Sequence, residues 1–442
     1  MVHLNEHFTY KKIIKAVIMP IFMMVFTSVY SIVDGFFVSN FVNKTAFAAL
    51  NLVFPTLMIL GSIGFMMGAG GSALVAKSLG EGKKEEANKI FSGVVYATAI
   101  MGIAVTLLVV FFVKDISVLL GATEEMLPYC VTYARILVAG ITLFMIQNLF
   151  QTFFIVAERP GLGFLITAAA GVTNIILDAV FIIVAKLGLA GAAYATVIGQ
   201  FVGSVIPVIY FFSKKNPSLR LGKPTFAPPI IIKTITNGSS ELLSNIAASI
   251  VSIVYNFQLL KFAGENGVSA YGIIMYTSFI FAAIFIGYAI GVAPIVSYNY
   301  GAQTHTELKN VLKKSLVLNA VSGVIMTVIS ASLAKVLASI FVSYDPELLS
   351  MTTTAIRIYS ISFIFMGINI FTSSFFTALN NGLISAIVSF SRTLVFQIGA
   401  VLLLPLAFEI NGIWEAIIVA EGLAFVMDAI LIFVYRKKYN YQ

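Results

Sequence analysis

Residues 135–154 read RILVAGITLFMIQNLFQTFF, and residues 357–376 read RIYSISFIFMGINIFTSSFF. Each stretch begins with an arginine, continues without another charge and ends in two phenylalanines, and the second follows the first by about half the chain. A helix needs roughly 20 such residues to cross the hydrocarbon core of a bilayer. The sequence therefore predicts one membrane helix that occurs twice, at equivalent places in two copies of a larger unit.

Further landmarks support the repeat at nearly the same shift. They are Gly161-Leu162 with Gly382-Leu383, Gly191 with Gly412, and the segment 80–86 with the segment 301–307. If each copy has six spans, the chain returns to its starting side between them, and both copies insert the same way up. We predict an N-lobe at 1–212, a cytoplasmic linker at 213–229 and a C-lobe at 230–442.

Composition places the chain in the membrane. Hydrophobic residues make up 59% and charged residues 10%, and the mean hydropathy is +0.99. The runs long enough to span a bilayer are 13–41, 47–75, 90–113, 129–156, 164–185, 189–212, 230–260, 268–296, 312–342, 351–379, 384–407 and 412–435. They lack the alternating pattern of barrel strands, so we predict an all-α membrane protein with twelve transmembrane helices in two pseudo-symmetric six-helix lobes.

The basic residues predict the orientation. Most of the 27 Lys and Arg residues lie at the termini or in the even-numbered loops, so both termini are expected on the cytoplasmic side of the inner membrane. This dispersed distribution also accounts for the net charge of +8 without nucleic acid as a partner. The lipid bilayer, with its anionic headgroups, is the expected counterpart.

Several reaction classes are disfavoured by missing residue types. Cys130 is the single cysteine, and His3, His7 and His305 lie outside the predicted spans. A disulfide, a cysteine or histidine metal centre and histidine general base chemistry are therefore not expected. The glycine-rich stretch 68–72 is followed by Ala73 rather than by the lysine of a phosphate-binding loop. We expect no enzyme and no cofactor.

Four polar side chains reach a similar depth in the first copy. Asp34 and Asp178 lie seven residues before the outer ends of spans one and five, roughly 10 Å deep in a helix. Thr196 lies seven residues after the outer start of span six, and Asn174 lies one turn from Asp178. At the shift that brings Arg135 onto Arg357, the uncharged Asn256 stands where Asp34 stands in the first copy.

Intramembrane carboxylates are costly and mark ion pathways by default. Two carboxylates, an amide and a hydroxyl suit either Na⁺ or a proton, so the coupling ion stays open. For Asn174 and Thr196 the alternative is an ordinary hydrogen bond between helices. For the two aspartates we favour a role in binding the coupling ion over a purely structural role.

The chain resembles the multidrug and toxin extrusion (MATE) transporters over essentially its whole length. The resemblance rests on the doubled twelve-span layout and on four local features. They are Pro20 ahead of Asp34, the segment VDGFFV at 33–38, Leu79-Gly80-Glu81-Gly82, and Asn174 four residues before Asp178.

The resemblance implies a secondary active antiporter that exports bulky, often cationic aromatic compounds in exchange for inward H⁺ or Na⁺. In prokaryotic members an aspartate on helix one, an asparagine and an aspartate on helix five and a threonine on helix six form the ion site, which corresponds to Asp34, Asn174, Asp178 and Thr196. Other members use acids on helices seven and ten. Span ten has none here and Glu241 lies near the start of span seven, so C-lobe coupling is not expected. The roles of Glu241, Glu421 and Asp428 are left open.

The remaining predictions concern substrate and shape. Pro20 removes a backbone hydrogen bond from span one, and the resulting bend is either a mobile hinge or a static packing kink. Adaptable side chains between the lobes are candidates for contacting small-molecule drugs or toxins. They are Met23, Tyr30, Gln147, Gln151, Tyr255, Met275, Tyr276 and Asn369. A monomer is expected.

Two other transporter classes and one enzyme class are rivals. A flippase for lipid-linked precursors or polysaccharides shares this architecture, but it needs several arginines in its central cavity to bind pyrophosphate. A major-facilitator transporter carries an aspartate-and-arginine motif after span two, where this chain has Gly80-Glu81-Gly82-Lys83-Lys84. A membrane hydrolase needs a nucleophile paired with a base, which no span offers.

Overall fold

The computed structural model of the protein describes residues 3–213, 219–223, 227–343 and 345–441, and all regular structure within these ranges is helical. The N-terminal half contains α1 (Tyr10–Phe41), α2 (Lys44–Gly80), α3 (Lys84–Leu119), α4 (Leu127–Ala139), α5 (Ile141–Val156), α6 (Pro160–Asp178), a π-helical turn (Ala179–Val184) and α7 (Gly188–Phe212). The C-terminal half contains α8 (Pro228–Gly301), α9 (His305–Val342), α10 (Pro346–Ser360), α11 (Phe363–Ala378), α12 (Gly382–Phe390), a second π-helical turn (Ser391–Phe396), α13 (Gln397–Leu403) and α14 (Pro405–Tyr435).

The described helices account for the twelve predicted spans. Nine helical segments are long and apolar enough to cross a membrane by themselves, and the bent pairs α4/α5 and α10/α11 raise the number to 11. The 74-residue α8 breaks at Gly264, where φ is 59° and ψ is −150°, so it supplies two spans. Glycine adopts this conformation without a steric penalty. The prediction of an all-α membrane protein is confirmed.

The repeated stretches 135–154 and 357–376 are bent rather than straight. α4 and α5 meet at 53°, and α10 and α11 meet at 50° at the equivalent place in the second copy. At the first bend a side chain on Gly140 would collide with Val197 of α7. At the second bend, bonds from Ile361 N to Ile358 O and from Ser362 N to Tyr359 O tighten the turn. Both copies therefore retain the same bend through different local contacts.

The two halves meet where α1 and α2 pack against α8. Several glycines there lie so close to the backbone of the other half that an added Cβ would collide with it. They are Gly70 against Thr234, Gly238 against Met66, Gly80 against Tyr298, Gly301 against Lys77, and Gly287 against Ile21. All these contacts lie in the half of the bundle that includes the start of α1 and the end of α14. We call that end of the molecule the terminus face.

The segment before α1 links both halves on the terminus face. His3 Nδ1 lies 2.6 Å from Glu158 Oε2, and the Leu4 amide donates to Glu158 Oε1 at 2.8 Å. Four residues later, His7 Nδ1 lies 2.8 Å from Glu307 Oε2, and the Phe8 amide donates to Glu307 Oε1 at 2.8 Å. Glu158 follows α5 and Glu307 begins α9, so residues 3–8 contact one carboxylate from each half. Leu4 and Phe8 are buried between these contacts.

Part of the predicted linker is anchored to the first half. The Arg220 amide donates to Asn88 Oδ1 at 2.8 Å, and the Gly222 amide donates to Ser92 Oγ at 2.9 Å. Leu219 and Leu221 are buried in a hydrophobic cluster that also contains residues of α3. Lys214, Lys215, Pro217 and Pro224 of the linker lie outside the described residues. The division into 1–212, 213–229 and 230–442 stays a prediction.

Replacing an interface glycine tests the contact between the halves. We expect Gly238→Ala to lower thermal stability and to lengthen the distance between spin labels at Lys89→Cys and Lys309→Cys, because its methyl group must push α2 away. Gly272→Ala on the same helix meets open space and should be neutral or stabilise by up to about 1 kcal/mol. Equal behaviour of the two variants would contradict a close backbone contact at Gly238.

Removing one carboxylate tests the N-terminal contact. Glu307→Ala deletes both acceptors used by His7 and Phe8, and we expect amide hydrogen exchange of Phe8 to accelerate about tenfold, for a loss of ~1.4 kcal/mol. Glu86→Ala on the same face is the control, since that side chain is 54% exposed. Unchanged protection of Phe8 in Glu307→Ala would show that the segment is held by other contacts.

Candidate functional site

The four polar residues predicted in the first half lie on three helices that pack together. Asp34 is on α1, Asn174 and Asp178 are on α6, and Thr196 is on α7. Asn174 Nδ2 donates to Thr196 Oγ1 at 3.4 Å, and Thr196 donates in turn to the Ala192 carbonyl at 3.0 Å. We call these four residues the N-lobe polar site.

Small residues allow the three helices to approach. Gly199 of α7 lies against the Ala170 carbonyl and the Asn174 Cβ, and Gly171 of α6 lies against Phe26 and Tyr30 of α1. A side chain at either glycine would separate the helices that carry the polar groups. The approach of α7 to α6 therefore depends on a glycine one turn from the polar residues.

The site holds unpaired oxygen atoms. Asp178 is 0% exposed, and neither of its carboxylate oxygens has a hydrogen-bond partner among the described residues. Asp34 Oδ1 and Asn174 Oδ1 are likewise buried without a partner there. Asp34 and Asp178 interact electrostatically, and neither acid forms an ion pair with a basic side chain within the described part of the chain. A buried site with two acids and no internal cation favours a bound cation.

Two features of this site carry no signal in the sequence. Tyr133 of α4 is almost fully buried and interacts electrostatically with both Asp34 and Asp178. The helix that carries Asp178 also changes to a π-helical turn at the next residue, Ala179. Such turns are frequent at functional sites. Neither a single tyrosine nor a π-helical turn has a local sequence signature, whereas the aspartates stand out in apolar runs.

The predicted drug contacts are distributed over both halves. Tyr30 interacts with Asp34, and Gln147 packs against Gly203 of α7. Met23 is buried in a small cluster with Ile155 and Ala283, which joins α1, α5 and α8. These three candidates lie at or near the N-lobe polar site and the contact between the halves.

The other candidates make contacts within one half. Gln151 lies 3.5 Å from Thr167, and Tyr255 stacks on Tyr271 with ring centroids 4.8 Å apart. Tyr276 stacks on Phe341 of α9 at 6.2 Å, while Met275 packs in the apolar cluster of Tyr255. Asn369 donates to Glu421. The structure places Met275 beside the cluster of Tyr255 but does not gather all five at one site, and their role in drug contact stays a prediction.

The sequence profile of the MatE family matches residues 20–180 and 242–402. The two matched segments are equal in length, and the shift between them is the one that brings Arg135 onto Arg357 in the internal repeat. The chain belongs to the MatE family of multidrug and toxin extrusion transporters. It is a multi-pass membrane transporter rather than an enzyme.

Known MatE proteins match along nearly the whole chain. The multidrug export protein MepA of Staphylococcus saprophyticus is 24% identical over 419 residues, which cover 93% of this chain and 90% of MepA. A MATE structure in a straight conformation has a TM-score of 0.93 at 21% identity and covers 99% of this chain and 98% of its own. An outward-facing multidrug resistance MATE transporter has a TM-score of 0.91 at 22% identity, with 98% of both chains covered. At these identities the two structures show the fold.

A threonine substitution tests the local geometry of the N-lobe polar site. Thr196→Val removes the hydroxyl that accepts from the buried Asn174 amide, and we expect a loss of about 1 kcal/mol in unfolding free energy. Thr173→Val is the matched control, because its hydroxyl bonds to the Ala169 carbonyl on the same helix. Thermal unfolding in detergent compares the two, and an equal loss would show that the Asn174 bond contributes nothing.

Proposed function

We propose that the protein is a secondary active multidrug antiporter that exports bulky, often cationic aromatic compounds in exchange for inward H⁺ or Na⁺. The observation that carries this proposal is the N-lobe polar site, in which the fully buried Asp178 has no partner among the described residues and shares its surroundings with Asp34. A cation supplies the missing charge. The name of the relative MepA, a multidrug export protein, supports the substrate class.

Helix α1 offers a mechanical link between ion and substrate. It carries Asp34, and about four turns earlier its backbone at Pro20 and Ile21 lies against Gly287 of α8. These points are about 21 Å apart along a helix. Pro20 removes a backbone hydrogen bond inside α1, which lowers the cost of bending there. A cation that binds at Asp34 therefore acts on the same helix that contacts the other lobe.

The substrate path is proposed between the lobes. Close backbone contacts join α1 and α2 to α8 on the terminus face, so in this conformation a substrate enters or leaves at the opposite end. Because the termini are expected on the cytoplasmic side of the inner membrane, the end opposite the terminus face is open to the outside of the membrane. Met23 and Met24 lie where the lobes meet, and their flexible side chains suit ligands of different shapes.

A lipid-precursor flippase is less consistent with the charges. Arg392 lies inside a span, and its guanidinium is committed to Glu421 through three hydrogen bonds. Arg135 and Arg357 are exposed. A pyrophosphate group needs several unpaired cations. The acids of the N-lobe polar site instead suit a cationic drug, which they attract by charge complementarity.

Transport by purified protein in lipid vesicles tests the proposal. We expect movement of a fluorescent cationic dye against an imposed H⁺ or Na⁺ gradient, with each gradient applied separately, and the effective gradient identifies the coupling ion. Asp34→Asn should abolish the movement, because the amide keeps the shape of the side chain but cannot bind a proton or supply the charge for Na⁺.

Asp115→Asn is the matched control, since Asp115 is exposed near the end of α3. It should retain the activity of the unmodified protein. Full dye transport by Asp34→Asn would overturn the coupling role of the N-lobe polar site, and movement of dye without any gradient would overturn antiport.

A further inference from the structure

A second buried polar cluster lies in the C-lobe, and the proposed coupling site does not use it. Arg392 Nε donates to Glu421 Oε1 at 2.9 Å and to Oε2 at 3.0 Å, and Arg392 Nη2 donates to Oε1 at 2.7 Å. Asn369 Nδ2 donates to Glu421 Oε2 at 2.7 Å. The side chain of Glu421 is 3% exposed and that of Arg392 is 18% exposed. The charge of Glu421 is therefore compensated inside the lobe.

Asp428 is different. It lies seven residues after Glu421 on α14, about 10 Å along the helix axis. Its side chain is 0% exposed, and neither carboxylate oxygen has a hydrogen-bond partner among the described residues. Arg392 and Glu421 act on it electrostatically, but the guanidinium is already bonded to Glu421. An ionised carboxylate left unpaired in a protein interior costs several kcal/mol, whereas the neutral acid avoids most of that cost.

We propose that the C-lobe holds a second proton-binding site at Asp428. In the described conformation the proton is bound to a carboxylate oxygen of Asp428, and its release breaks that O–H bond and transfers the proton to water. No other bond is made or broken. The use of this proton in transport rests on the proposed antiport, while its presence on Asp428 does not.

A proton and Na⁺ both neutralise Asp428, and the positive charge of Arg392 opposes either cation. A protonated acid and a carboxylate that binds Na⁺ have different infrared bands, so the spectrum distinguishes the two. The charged groups that act on Asp428 are Arg392 from the π-helical turn and Glu421 from α14 itself. Tyr359 of α10 interacts with those two residues in turn.

Infrared spectroscopy of the protein in lipid tests the bound proton without any transport assay. We expect the unmodified protein at neutral pH to show a C=O stretching band of a protonated carboxylic acid that is absent from Asp428→Asn and retained in Asp115→Asn. The asparagine side chain matches aspartate in shape, and thermal unfolding checks that the variant folds. If Asp428→Asn instead loses the band of an ionised carboxylate, the proposal is overturned.

A second measurement separates this site from the proposed coupling site. In vesicles with an active antiporter, Asp428→Asn should move about one proton fewer per substrate, as read from the gradient at which net dye movement reverses. Asp34→Asn should instead abolish movement. An unchanged proton count in Asp428→Asn would overturn the role of its proton in transport, and an inactive unmodified protein would overturn the proposed antiport while leaving the infrared result valid.

Discussion

The close contact of backbones between the two lobes is the constraint on which the rest of the arrangement depends. Large side chains hold membrane helices apart, so helices that must touch carry glycine at the contact. Gly70 and Gly238 bring α2 to the first part of α8, while Gly80 and Gly301 bring it to the last part. The terminus face is therefore closed by steric fit, and a change of access requires these particular contacts to separate.

The N-terminal segment adds polar contacts to this apolar fit. His3 and His7 each pair with a carboxylate, one from the first half and one from the second, and the next residue in each case uses its backbone amide on the same carboxylate. Such exposed pairs contribute little energy individually. Their effect comes from their position, because the two lobes cannot separate on this face unless at least one of these pairs breaks.

The two lobes share a helical plan but differ in how they treat buried charge. In the N-lobe, Asp34 and Asp178 form no ion pair with a basic residue among the residues described. In the C-lobe, Arg392 compensates Glu421 internally. The duplication therefore preserved the bends and the packing, while the buried charges diverged.

The sequence by itself determined the membrane class, the twelve spans and the place of Asp34 and Asp178 within two of those spans, because apolar length is a property of the chain alone. The tertiary structure decided the rest: that Gly140 marks a bend, that Tyr133 lies near both acids, that Arg392 pairs with Glu421 and that Asp428 has no hydrogen-bond partner in the described part of the chain. These residues are far apart in sequence, and a partner on another helix is set by packing, which no local pattern of residues encodes.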